Sequence, residues 1–158
     1  IDNGKTNHKG VELTLNMNIS ETSNLISNFT YGDHKYNFNS DTSMQEEIRV
    51  GNQIDTSPKL MANLILNTSV TDNFSLAFEL ERMDSYFTDA ANLHEYEGHT
   101  LLHFRSDLSY SEKLKLYLRA DNLTDKDYAE RADFNAYGGD RYFPGLPRET
   151  YVGFEYSL

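Results

Sequence analysis

Almost every stretch of this chain alternates apolar and polar residues with a period of two. Val11, Leu13, Leu15, Met17 and Ile19 alternate with Glu12, Thr14, Asn16 and Asn18. Such spacing puts the apolar side chains on one face of an extended strand, whereas a helix would scatter them around its axis. The pattern recurs at residues 25–31, 60–67, 74–81, 102–110 and 114–119. It closes the chain, where Val152, Phe154, Tyr156 and Leu158 alternate with Gly153, Glu155 and Ser157. This predicts about seven strands, each near the roughly 9–11 residues that a tilted strand needs to cross a bilayer.

The strands are joined by connections of alternating length. Three are tight, at residues 20–23, 70–73 and 110–112, and three are long, at about 39–57, 88–97 and 135–147. Short turns at one end and long loops at the other fit up-and-down antiparallel hairpins. Alternation alone would favour a soluble β-sandwich that binds a ligand or glycan, its apolar faces packed on each other. Two features move the reading toward a membrane barrel. The non-apolar face carries charges and amides on every strand, as a wet lumen would. Aromatics also stand near strand ends, at Tyr31, Tyr110, Tyr151 and Tyr156, and read as interfacial girdles on the apolar face.

Composition narrows the function. The 158 residues suffice for one domain. A net charge of -11 argues against a nucleic-acid partner. The absence of cysteine excludes disulfides and thiolate metal sites. There is no apolar run long enough for a transmembrane helix, which leaves a transmembrane barrel open, because barrel strands are apolar on one face only.

The segment Asn122-Leu-Thr-Asp-Lys-Asp-Tyr128 closely resembles the N-L-x-D-K-x-Y motif near the C-terminus of TonB-dependent outer-membrane receptors. Four further pieces resemble the family in the same order: "HKGVELTL" at 8–15, "SPKLMANLILN" at 57–67, "YEGHTLLHFRSDLSY" at 96–110 and "RYFPGLPRETYVGFEYSL" at 141–158. Two positions depart from the pattern. The family mostly ends in Phe where this chain ends in Leu158, and Leu60 stands where the family often has His.

The resemblance implies an all-β transmembrane barrel of about 22 strands, of which residues 1–158 would form the last seven or so, without the plug domain and the N-terminal strands. It implies a bacterial outer-membrane receptor, siderophore-receptor-like, that imports a ferric siderophore or a similar iron, haem or cobalamin complex. The TonB system would act through the missing plug. The C-terminus would be periplasmic, and its strand would be read by the barrel assembly machinery and would pair with the first strand. Residues 1–10 would then belong to an outer loop. No enzyme activity and no resident cofactor are implied.

Candidate ligand contacts lie on the expected outer loops. "HEYEGH" places His94 and His99 beside Glu95 and Glu97, but the histidines are five apart and do not form H-E-x-x-H. Imidazole and carboxylate could contact a ferric ligand there, the bland reading being a polar loop. "GGDRYFPGLP" reads as a loop from its Gly and Pro, and Arg141, Tyr142 and Phe143 could meet a planar or anionic ligand by stacking and charge. Asn122 and Asp125 are expected to fix a bend or bulge rather than to bind. Glu46, Glu47, Asp55, Asp84, Asp89 and Asp140 read as a solvated acidic surface. An outer-membrane hydrolase would need a nucleophile signature such as G-x-S-x-G, which the sequence lacks.

Overall fold

The computed structural model describes residues 4–41 and 47–158. Its main body is a single seven-stranded antiparallel sheet of β1 (Thr6–Asn18), β2 (Ser23–Tyr36), β3 (Leu60–Thr71), β4 (Phe74–Met83), β7 (His99–Ser109), β8 (Leu114–Asp121) and β11 (Glu149–Tyr156). Neighbours in the sheet are consecutive along this series, so the topology is up-and-down. The seven strands are the seven that the alternation predicts. Two small hairpins, β5 (Tyr86–Phe87) with β6 (Glu95–Tyr96) and β9 (Ala129–Asn135) with β10 (Gly139–Pro144), stand in the long connections. Antiparallel order puts all three long connections at one end of the sheet. The tight turns and Leu158 lie at the other.

Register assigns every side chain to a face. Leu15, Ser27, Leu64, Leu80 and Leu102 form one row across the sheet, and Met17, Leu25, Leu66, Phe78, Phe104 and Ala120 form the next. The opposite face carries Asn16, Ile26, Ile65, Glu79 and His103, then Asn18, Asn24, Asn67, Ala77, Arg105 and Arg119. Among the described residues no second sheet covers the apolar face. Val11 is 63% exposed, Phe154 71% and Val152 80%. Burying a large apolar side chain stabilises a fold by about 1.5–3 kcal/mol, and here that stabilisation is left unused across a whole face. The sandwich expectation therefore fails, because it needs this face packed against another.

Buried apolar side chains gather instead toward the loop end. Tyr86, Tyr96, Ala129 and Ala132 form a cluster with Met83 against it, and Leu101 and Ala120 lie in the adjoining strand ends. Gly98 shows how tightly the chain is drawn in. Its φ is +75°, and an added Cβ would lie 2.4 Å from the Met83 carbonyl oxygen. Gly153 interrupts the last strand for a different reason. The Tyr117 ring, opposite it in register, lies over the position a side chain would take.

Three expectations change. Residues 6–10 belong to β1 rather than to an outer loop, paired with residues 32–36 of an equally long β2. Gly139–Pro144, read as loop from its glycines and proline, is a strand. Tyr151 pairs with Arg119 and so lies on the polar face, not with Tyr31 and Tyr156 on the apolar one. Glu46 lies outside the described residues.

The facing assignment predicts a one-residue contrast. Leu66→Arg, on the apolar face, should lower folding stability in lipid vesicles by about 2–4 kcal/mol, while its neighbour Asn67→Arg should cost under about 1 kcal/mol. Urea unfolding of both variants in the same vesicles measures this.

Candidate functional site

The three long connections are tied into one assembly. Residues 47–59 fold back along the upper part of β2: Tyr36 N–H donates to Asn52 O, Gly51 N–H to Tyr36 O and Ile54 N–H to His34 O, each at 2.9 Å. The next connection is fastened by an amide clasp. The Asn92 side chain accepts from Gln53 N–H at 2.7 Å and donates to Gln53 O at 2.9 Å. Asn92 tolerates the positive φ of +60° that this clasp requires, being one of the few non-glycine types that do so readily. Asp89 shapes the same turn, its carboxylate accepting from Leu93 and His94 N–H at 2.9 and 2.8 Å.

The β9–β10 hairpin docks on this turn through two tyrosines. The Tyr86 hydroxyl accepts from Ala132 N–H at 2.7 Å and donates to Ala132 O at 3.1 Å. Burial pushes its phenol above the ordinary value, so it keeps the proton it donates. The Tyr96 hydroxyl accepts from Ala129 N–H at 3.0 Å and sits 2.8 Å from His99 Nδ1. The base of the hairpin is pinned by the quoted Asn-Leu-Thr-Asp motif. Asn122, at φ +47°, accepts from Lys126 N–H and donates to the Lys126 and Leu146 carbonyls. Asp125, at φ +54°, accepts from Arg148 N–H at 3.0 Å. The pair thus closes the two ends of the long connection, where the sequence suggested a bend within a strand.

The predicted ligand residues separate into three settings. His99 opens β7 and is buried, 4.7 Å from the Tyr128 ring, so it supports the loops instead of standing on one. His94 stacks on Phe134 at 3.8 Å and places Nδ1 3.1 Å from Asp140. Arg141 and Phe143 share one face of the hairpin with Asp133 and Arg131, while Tyr142 lies on the other, near Tyr96. On the first face, the Asp133 carboxylate, 8% exposed, holds Arg131 and Arg141 at 2.7 and 2.6 Å. The Arg131 guanidinium lies 5.5 Å from the Phe143 ring centre. Asp133 and Arg131 were missed because only strand register brings them beside Arg141 and Phe143.

The polar face of the sheet carries a second continuous feature. Asn63 donates to Glu79, which pairs with Arg105 at 2.9 Å; Asp121 takes Arg119 and His103. Further toward β1, Asn24 donates to Asn16 and Asn18. A concavity of about 600 Å³ is lined mostly by residues of this face, among them Asn24, Asn67, Arg105 and Asp107. Among the described residues no group of three or more histidine, aspartate or glutamate side chains is arranged to hold a metal ion.

The family described as "TonB dependent receptor-like, beta-barrel" matches residues 1–123. A search of the curated proteins gives no match. Among solved structures, the chain is similar to the siderophore receptor PiuA from Acinetobacter baumannii, with a TM-score of 0.81 and 22% identity over 97% of this chain and 22% of that one. It is similar to the ferric yersiniabactin uptake receptor FyuA from Yersinia pestis, with a TM-score of 0.75 and 18% identity over 96% of this chain and 23% of that one. It is also similar to the ferric-catecholate import receptor Fiu from E. coli K12 in its closed form, with a TM-score of 0.76 and 21% identity over 96% of this chain and 21% of that one. The chain thus spans less than a quarter of the length of each of these structures.

The tyrosine docking is testable by amide exchange. Tyr86→Phe leaves the Ala132 N–H and carbonyl without their partner and should cost about 1–3 kcal/mol of local stability. Hydrogen exchange should speed up at residues 129–135 and stay unchanged in β3 and β4. Equal exchange in variant and parent would mean that the hydroxyl does not hold the hairpin.

Proposed function

The chain belongs to the TonB-dependent receptor-like β-barrel family, and from that premise we propose that its sheet is a section of the wall of a larger outer-membrane barrel that takes up a ferric siderophore or a similar metal complex. The observation that carries this reading is the division of one sheet into an uncovered apolar face and a networked polar face, with three tethered loops at one end. Lipid would lie against the apolar face, the polar face would line the lumen, and the loops would stand outside the cell. The tight turns and Leu158 would then be periplasmic. The names of the similar receptors, which concern siderophores and ferric complexes, support the ligand class.

In this reading residues 1–158 form the C-terminal part of the barrel domain. Both edges of the sheet, β1 and β11, would pair with strands supplied by the rest of the wall. The TonB system would supply energy through a plug domain. The assembly machinery would act on the alternating last strand. The chain would bind and conduct, with no bond-making chemistry of its own, as expected of a family of receptors and transporters.

Ligand contact is assigned to the exposed parts of the loop end. Arg141, Arg131 and Phe143 form a cation–aromatic surface suited to a planar or anionic group, and Asp133 fixes the two guanidiniums in place. His94 and Tyr142 flank it on the opposite hairpin face, and His99 supports it from below.

Folding medium tests the membrane reading. The chain should give β-sheet circular dichroism and a defined size in mild detergent, or when mixed with the remainder of its barrel, and should aggregate in plain buffer. A monodisperse monomer melting cooperatively without detergent would sink the proposal.

A further inference from the structure

Two histidines outside every site described so far face each other on the polar side of the sheet. His8 of β1 and His34 of β2 are direct register partners. They stand near the end of the sheet that carries the long connections, because β1 begins at Thr6 opposite Tyr36. Their Nδ1 atoms are 2.9 Å apart and their ring centroids 5.0 Å. His8 is exposed and His34 half-buried, and both line an open concavity of about 450 Å³.

Three features equip this pair to hold an ion. The first is spacing. Bonds of about 2.0–2.1 Å from one ion to two imidazole nitrogens, set at about 90°, separate those nitrogens by the 2.9 Å found here. A tetrahedral ion would spread them further, so the pair suits an ion that accepts right angles, such as Cu2+ or Ni2+. The second is proton placement. In a hydrogen bond between two Nδ1 atoms one donates and the other accepts, so one already presents a lone pair. His8 Nε2 lies 2.9 Å from Thr6 Oγ1. An ion on His8 Nδ1 requires the ring proton on Nε2, and the Thr6 hydroxyl oxygen is in place to accept it, as outer partners of metal-bound histidines do. The third is room. The next row on this face pairs Gly10 with Gly32, and the His34 ring lies over Gly32, where an added Cβ would collide with Nε2.

Charge agrees with a cation. Lys9 also lines the concavity, but strand alternation sends its side chain to the other face, opposite Asp33. The charged side chain that shares the histidine face there is Glu12.

We propose that His8 and His34 form a two-imidazole site for a divalent transition-metal ion of the copper or nickel type. Both Nδ1 atoms bind the ion, and the proton between the rings moves to His34 Nε2. Among the described residues no third histidine or carboxylate joins them. Water or a small chelator therefore fills the remaining positions. The site needs only the β1–β2 pairing and is independent of what the loop end binds.

The test uses the whole chain, untagged and folded in detergent, with folding scored first by circular dichroism. Titration with Cu2+ is then followed by calorimetry and electron paramagnetic resonance. One ion per chain, with a signal split by two imidazole nitrogens, is expected. His8→Ala and His34→Ala should each keep the fold, weaken Cu2+ at least about tenfold and lose the two-nitrogen pattern. His103→Gln, elsewhere on the polar face, should bind as the parent does. Unchanged binding in either alanine variant, loss of the ion in His103→Gln, or a folded parent that takes up no Cu2+ would each overturn the assignment. The sheet and its two faces would stand in all three cases, so the failure would be confined to the histidine pair.

Discussion

The structure depends on satisfying the backbone without burying the side chains. Each sheet strand pairs its N–H and C=O groups with its neighbours over 8 to 14 residues. A soluble protein would then hide one face of such a sheet to gain hydrophobic stabilisation. Here that face stays uncovered, from Val11 at one edge to Phe154 at the other. In a bilayer the accounting reverses. Unpaired backbone groups become the dominant cost, apolar side chains are at home facing lipid, and a continuous antiparallel ladder meets both demands.

The same constraint separates the roles of sheet and loops. The sheet needs no core, so its interior face is free to be polar, and it carries the Asn63–Glu79–Arg105 and His103–Asp121–Arg119 networks. The loops lie beyond the sheet and are ordered by other means. Their order comes from side chains that bond to backbone: Asn92 to Gln53, Tyr86 to Ala132, Tyr96 to Ala129 and Asn122 to Lys126 and Leu146. Each such bond adds on the order of 1 kcal/mol, and several acting together on these long connections hold the loop end as one surface. That gives Arg131, Arg141 and Phe143 a fixed platform, which the proposed ligand contact requires.

Sequence periodicity made the sheet legible and the loop end largely illegible. Alternation located the seven strands because each is long enough to repeat its pattern several times. β5 and β6 have two residues each and leave no period to read. Gly139–Pro144 pairs as a strand despite its punctuation residues, since Gly139 takes the positive φ at the turn and Pro144 falls at a register shift. Arg141, Tyr142 and Phe143 looked like one contact in sequence, but a strand sends neighbours to opposite faces. His99 was legible as a histidine near a loop, while its burial against Tyr96 and Tyr128 depends on contacts far along the chain. Asn122 and Asp125 were legible as residues that shape the backbone, but the sequence placed a bend within a strand, whereas both take positive φ and tie the ends of the connection together.

The most direct test of the account is where each face of the sheet lies in a membrane. The chain has no cysteine, so single cysteines placed along Leu60–Thr71 can be spin-labelled one at a time in lipid vesicles. Collision with lipid-soluble oxygen should peak at positions 60, 62, 64 and 66, and collision with a water-soluble nickel chelate at 61, 63, 65 and 67. A period-two alternation in opposite phase for the two reagents is the predicted result. Uniformly low access at the even positions to both reagents would place the apolar face against protein and contradict the account.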